Sequence, residues 1–189
     1  MKRSFVVNVE QLFNILGLVG IFSTLALALS FQLIFKELPC PLCLLQRFGF
    51  LGVALGFLLN LRFGLRPSHY ATVQLSALFT GFVALRQVAL HVIPGSEGYG
   101  DPLFGYHLYT WSFILSMVIL IGSTLMMGVD AQYQRVENKP FKASWLTFVL
   151  FVLLGLFVVS DLTTVFCQCG FGMCPANPIA GGPPTQCAK

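Results

Sequence analysis

From Gln11 to Phe35 the chain carries no charged residue. About 24 apolar-rich residues at 1.5 Å each extend roughly 36 Å as a helix, enough to cross a bilayer core with some tilt. Few soluble folds accommodate such a segment. Lys2, Arg3 and the cleavage-like Ala26-Leu27-Ala28 also fit a signal peptide, but the apolar run continues seven residues past Ala28, which favours a retained span. Four further stretches follow, so the spans cover about residues 12–35, 42–61, 70–92, 109–129 and 145–159. Tyr109, Trp111 and Trp145 sit where interfacial aromatic belts are expected. Hydrophobic residues make up 56% of the chain and charged ones 10%, against roughly 45–50% and 25% in soluble domains. That balance excludes a soluble globular domain, a disordered chain, a coiled coil and a nucleic-acid binder. The reading is an all-α integral membrane protein, with a bundle over residues 1–160 and a tail over 161–189. Gly181-Gly182-Pro183-Pro184 argues against a regular helix in that tail.

Lys and Arg set the orientation. With the N-terminus cytoplasmic, Lys2, Arg3, Arg62, Arg66, Arg135, Lys139 and Lys142 lie inside, and only Lys36 and Lys189 outside. Arg47 and Arg86 fall within spans. This bias of seven to two puts all six cysteines on the extracytoplasmic side.

Cys40-Pro41-Leu42-Cys43 stands at the head of the second span. Two thiols three residues apart can close and reopen a disulfide, and a helix N-terminus favours the thiolate. A zinc site or a structural pair is the alternative, although zinc needs two further ligands nearby. Residues 40, 43 and 47 share one helix face at i, i+3, i+7. An Arg one or two turns inside a membrane is costly to keep. Arg47 either snorkels to lipid phosphate or polarises a carbonyl-bearing redox ligand beside Cys43, with Gln46 as a weaker second donor. Cys40 is expected nearer water and Cys43 deeper. Gly52 and Gly56 form a G-x-x-x-G suited to close helix packing, the nineteen Phe residues are lipid-facing filler, and His69 and Asp161 show no partner.

Cys40-Pro41-Leu42-Cys43 followed by Leu44-Leu45-Gln46-Arg47-Phe48, with Arg86-Gln87-Val88 before Ile93-Pro94 and Trp111-Ser112 opening the fourth span, resembles the DsbB family of bacterial disulfide-bond formation proteins. The likeness covers roughly residues 10 to 130. It implies a DsbB-like four-helix bundle, here with a fifth transmembrane helix, whose CxxC disulfide is reoxidised by ubiquinone or menaquinone. It implies a quinone by Cys43 and Arg47, with His91 as a second neighbour near the same membrane edge. It also implies a periplasmic thioredoxin-like (DsbA-like) dithiol partner, the membrane quinone pool, and a place in the bacterial inner membrane.

The chain departs from the family between its third and fourth spans. Family members carry a second cysteine pair there, whereas Ile93 to His107 holds none and is rich in glycine. Cys167, Cys169, Cys174 and Cys187 lie instead in the tail. They could shuttle electrons, form structural disulfides or bind zinc, and four cysteines allow three connectivities. The shuttle reading is preferred and no metal site is assigned. The expected function is electron transfer from extracytoplasmic thiols through Cys40 and Cys43 to quinone. The rivals are a thiol-reducing conduit and a non-enzymatic membrane assembly or metal-handling protein.

Overall fold

Proline opens two of the helices and glycine closes three. The computed structural model describes residues 9–34, 39–92, 98, 102–134, 144–170, 172 and 174. Helix α1 covers Val9–Ile34, α2 Pro41–Phe63, α3 Pro67–His91, α4 Leu108–Met127, a short α5 Ala131–Gln134 and α6 Ser144–Cys169. Pro41 and Pro67 occupy first turns, where a missing N–H removes no helical bond and the fixed φ suits the helix. Gly64 stops α2 at φ 87°, a left-handed conformation that costs glycine little. The turn through Gly64, Leu65 and Arg66 then lays α3 antiparallel along α2. No strand occurs among the described residues. Helices α1 to α4 and α6 are each long and apolar enough to cross a membrane, so the protein is an all-α multi-pass membrane bundle.

The fifth span differs from expectation. The sequence reading ends it at residue 159, but α6 runs on to Cys169. Thr163, Thr164 and Asp161 do not stop it because each finds a partner. Thr163 and Thr164 donate their hydroxyls to the carbonyls of Val159 and Ser160, at 2.8 and 2.9 Å. Asp161 is buried against Arg47 of α2. Gly170 ends the helix at φ 57°, its N–H donating to the Phe166 carbonyl at 2.8 Å. The boundary drawn at residues 160 and 161 therefore falls inside a helix.

Helix α2 is the centre of the bundle and packs on α1, α3 and α6, while α4 packs on α3. Phe50, Val53, Ala54, Phe57 and Leu58 of α2 meet Leu18, Ile21 and Leu25 of α1, Val73 and Ala77 of α3, Ile119 of α4 and Leu154 of α6. The α2–α3 contact is close because glycines line it. A Cβ on Gly49 or Gly52 would collide with the hydroxyl of Thr80 or Ser76, and one on Gly56 would lie 2.5 Å from Val73 Cγ2 and 3.0 Å from the His69 carbonyl oxygen. At the end of the bundle away from the CxxC pair, Asn14, Asn60 and Tyr70 form a buried polar knot, with Asn60 Nδ2 donating to Asn14 Oδ1 at 2.8 Å and Asn14 Nδ2 to Tyr70 OH at 3.0 Å. His69, partnerless in sequence, joins it through Asn60 Oδ1 at 3.2 Å and the Gly64 carbonyl at 3.1 Å.

Candidate active site

Cys40 and Cys43 form a disulfide with Cα atoms 5.0 Å apart. Cys40 is the N-cap of α2, and its Sγ accepts a hydrogen bond from the Cys43 backbone N–H at 3.1 Å. One sulfur therefore both bonds its partner and satisfies a first-turn donor that the helix leaves open. The sequence reading puts Cys40 nearest water, yet it is only 6% exposed, with Pro39 buried beside it, while Cys43 is half-buried.

Gln87, from the last turns of α3, lies over this pair. Its Nε2 donates to Cys40 Sγ at 3.3 Å and Cys43 Sγ at 3.5 Å, and its Oε1 accepts from Gln46 Nε2 at 2.7 Å. Gln87 is 1% exposed, and one amide bridges both sulfurs and Gln46. In the sequence, Gln87 stands out only within the Arg86-Gln87-Val88 resemblance. The available signal was an amide within an apolar span that also ends beside the CxxC segment.

Arg47 neither snorkels nor stands alone. Its NH1 donates to Gln32 Oε1 of α1 at 2.7 Å and lies 3.5 Å from Asp161 Oδ1 of α6, and its NH2 donates to the Ala28 carbonyl at 2.9 Å. Gln32 is held in turn, its Nε2 donating to Thr164 Oγ1 at 3.0 Å. Arg47 and Asp161 are both buried, as an ion in a membrane requires of its counter-ion. Asp161 is the residue that sequence reasoning passed over.

Cys43, Gln46 and Arg47 line one wall of a cavity of about 90 Å³, faced by Ala28 and Gln32 of α1 and by Tyr109 and Ser112 of α4. Cys40 is not among its lining residues. An adjoining chamber of about 250 Å³ shares Thr24, Ala28, Leu108 and Ser112 and continues between α1 and α4 to Trp111 and Leu115. His91 is one residue removed, stacking on Tyr109 with ring centroids 5.4 Å apart. His107 also stacks on Tyr109, with ring centroids 5.2 Å apart. Before α4, Leu103 and Tyr106 pair across Phe104 and Gly105, both at positive φ, in a tight turn that Trp111 Nε1 ties down through the Leu103 carbonyl at 2.9 Å.

Among the tail cysteines, Cys169 and Cys174 form a disulfide with Cα atoms 4.5 Å apart, and Cys167 is also disulfide-bonded. The Cys169–Cys174 bond folds the chain back over the end of α6. Neither sulfur is then a thiolate for a metal. Cys187 lies outside the described residues. Helices α2 and α6 run antiparallel and meet at Arg47 and Asp161. From that level Cys40 lies seven residues, or about 10 Å, along α2, and Cys169 eight residues, or about 12 Å, along α6. Both disulfides thus stand at about the same height on adjacent helices.

A family model described as "Disulfide bond formation protein DsbB" matches residues 10–99. The matched stretch holds Cys40, Cys43, Gln46, Arg47, Gln87 and His91, and ends before α4 and α6. No curated protein and no solved structure matches the chain.

Proposed function

A DsbB family model matches residues 10–99, and from that premise we propose that the chain is a DsbB-family membrane thiol:quinone oxidoreductase that generates disulfides in the periplasm. The observation that carries this reading is the asymmetry of the CxxC disulfide. Cys43 borders a cavity between membrane helices, whereas Cys40 does not line it. A pair that only braced the fold has no need of a cavity on one sulfur.

The residues around the cavity fit a quinone head. Arg47 and Gln46 bring N–H donors suited to carbonyl oxygens, and Leu25, Phe31 and Phe50 supply apolar wall. The space beside Cys43 is about 90 Å³, smaller than the roughly 150 Å³ that holds a benzene ring, so the ring would also draw on the adjoining chamber. Ubiquinone or menaquinone bound there supplies the acceptor for the two electrons and two protons released when the Cys40–Cys43 dithiol closes. His91 would support Tyr109 at the rim through ring stacking.

On the thiol side, a thiolate of a periplasmic thioredoxin-like (DsbA-like) dithiol attacks Cys169–Cys174 through a mixed disulfide. The partner's second thiol resolves it, so the partner leaves as a disulfide and Cys169 and Cys174 become thiols. One of these attacks Cys40, the other resolves the bond, and Cys169–Cys174 re-forms while Cys40 and Cys43 are reduced. The shared height of the two pairs supports this relay. So does the burial of Cys40, which shields it from a bulky protein but less from a neighbouring helix end. Cys167 and Cys187 would brace that end. The Lys and Arg bias supports a site on the periplasmic side of an inner membrane that holds the quinone pool.

The test is quinone reduction by purified protein with either dithiothreitol or a reduced thioredoxin-like protein as donor. Cys40→Ser or Cys43→Ser is expected to abolish both reactions. Cys169→Ser with Cys174→Ser is expected to spare the dithiothreitol reaction and stop the protein one. Normal turnover of Cys43→Ser removes the CxxC pair from the mechanism, and full activity of the tail variant on the protein donor removes the relay.

A further inference from the structure

We infer that α6 is part of the quinone site, with Asp161 as a positioning residue that holds the Arg47 guanidinium at the cavity wall. The inference rests on the quinone reading above, and it concerns a helix outside the family-matched stretch. An Arg on a membrane helix ordinarily extends its flexible stem toward water. Here the open end of the bundle is only about two turns away along α2, so that escape is within reach. What holds Arg47 inward is a set of acceptors on one side, Gln32 Oε1, the Ala28 carbonyl and Asp161 Oδ1. Three acceptors face five N–H donors, so donors in the same plane remain for a ligand carbonyl.

Helix α6 grips this arrangement twice. Asp161 faces the guanidinium, and Thr164, one turn on, holds the Gln32 amide so that its oxygen points at Arg47. The two lie at i and i+3, hence on one face. Thr147 and Leu154, buried on the same helix at seven-residue intervals before Asp161, bring that face against the bundle, and Phe157 stacks on Phe22 of α1 with centroids 5.8 Å apart. The carboxylate also neutralises Arg47, so the charge can stay at this depth when the cavity holds an uncharged ligand. Removing it leaves the guanidinium without its counter-ion and free to swing outward, away from Cys43.

The experiment uses the full chain in detergent, a short-chain ubiquinone analogue and dithiothreitol, reading the KM for quinone, kcat, and the thermal shift produced by the quinone alone. Asp161→Asn is expected to raise KM at least fivefold with kcat within about twofold, and to shrink the thermal shift. Asp161→Glu is expected to recover most of the loss. In an Arg47→Gln background, Asp161→Asn should add no further change in KM. Thr164→Val keeps the shape and removes only the hydroxyl on Gln32. It is expected to raise KM about twofold, and it decides the matter should Asp161→Asn fail to fold. Unchanged KM in both single variants, or an equal rise with and without Arg47, overturns the inference alone. Wild-type protein that neither binds nor reduces the quinone overturns the function proposed above, and the inference with it.

Discussion

Gln87→Leu isolates the amide that bridges the two sulfurs. The substitution keeps the approximate volume and removes three contacts, those from Nε2 to Cys40 and Cys43 and the one that Oε1 accepts from Gln46. Two effects follow and are separable. Gln46 Nε2, buried with its residue at 4% exposure, loses its acceptor, and an unsatisfied buried donor costs about 1–3 kcal/mol of stability. The donor to sulfur matters more when the sulfur is a thiolate, because bonds to ionised acceptors are roughly twice as strong as neutral ones. Its loss therefore disfavours the reduced pair by about 1 kcal/mol, which for a two-electron couple is about 20 mV toward more reducing potentials. The assay equilibrates wild type and variant against dithiothreitol redox buffers, with the Cys40–Cys43 state read by thiol alkylation, and thermal unfolding reports the first effect. A potential that stays within about 5 mV of wild type in folded protein, or that moves upward, refutes the idea that Gln87 tunes the couple.

Arg47→Lys keeps a charge for Asp161 but loses the planar fork, so the expected result is a several-fold higher quinone KM with little loss of thermal stability. Arg47→Leu leaves Asp161 as a buried, uncompensated carboxylate, a loss of about 3–5 kcal/mol, and adding Asp161→Leu should return much of it, as unfolding in detergent would measure. Gly56→Val puts side-chain atoms where Val73 and the His69 carbonyl already sit and is expected to cost about 1–3 kcal/mol or more by overpacking. By contrast Gly155→Ala, with nothing within 4 Å of the new methyl, should leave stability equal or raise it by up to about 1 kcal/mol.

The five spans were legible because apolar length in lipid leaves helix as the available structure, and the CxxC stood out because its spacing carries its own chemistry. The end of α6 was not legible for a physical reason. A Ser-Asp pair after an apolar run reads as a helix leaving the membrane, and the residue that keeps Asp161 inside is Arg47, far away in sequence and on another helix. The same holds for Arg47 itself. Its depth was readable, but the choice between snorkelling and an inward partner depended on α1 and α6 arriving beside it. Gln87 was visible as a polar residue in a span, yet only the antiparallel pairing of α2 and α3 through Gly49, Gly52 and Gly56 brings it over the sulfurs. Cys40 was expected at the water side from its position at the helix start, and the covering Gln87 and Pro39 bury it. The cysteine count allowed three tail connectivities, and the turn at Gly170 brings Cys174 back onto Cys169.

The two sulfurs at the head of α2 are tethered twice, once through their own bond and once through the Cys43 N–H to Cys40 Sγ contact at 3.1 Å. Reduction cuts the first tether and tightens the second, because the helix start favours negative charge on its cap. The separated thiols are therefore not released to wander. They stay registered within one helical turn, and ring closure remains an intramolecular event with the high effective molarity that such confinement gives. A helix cap made of sulfur acts here as a hinge pin, so the reduced pair stays aligned to close again.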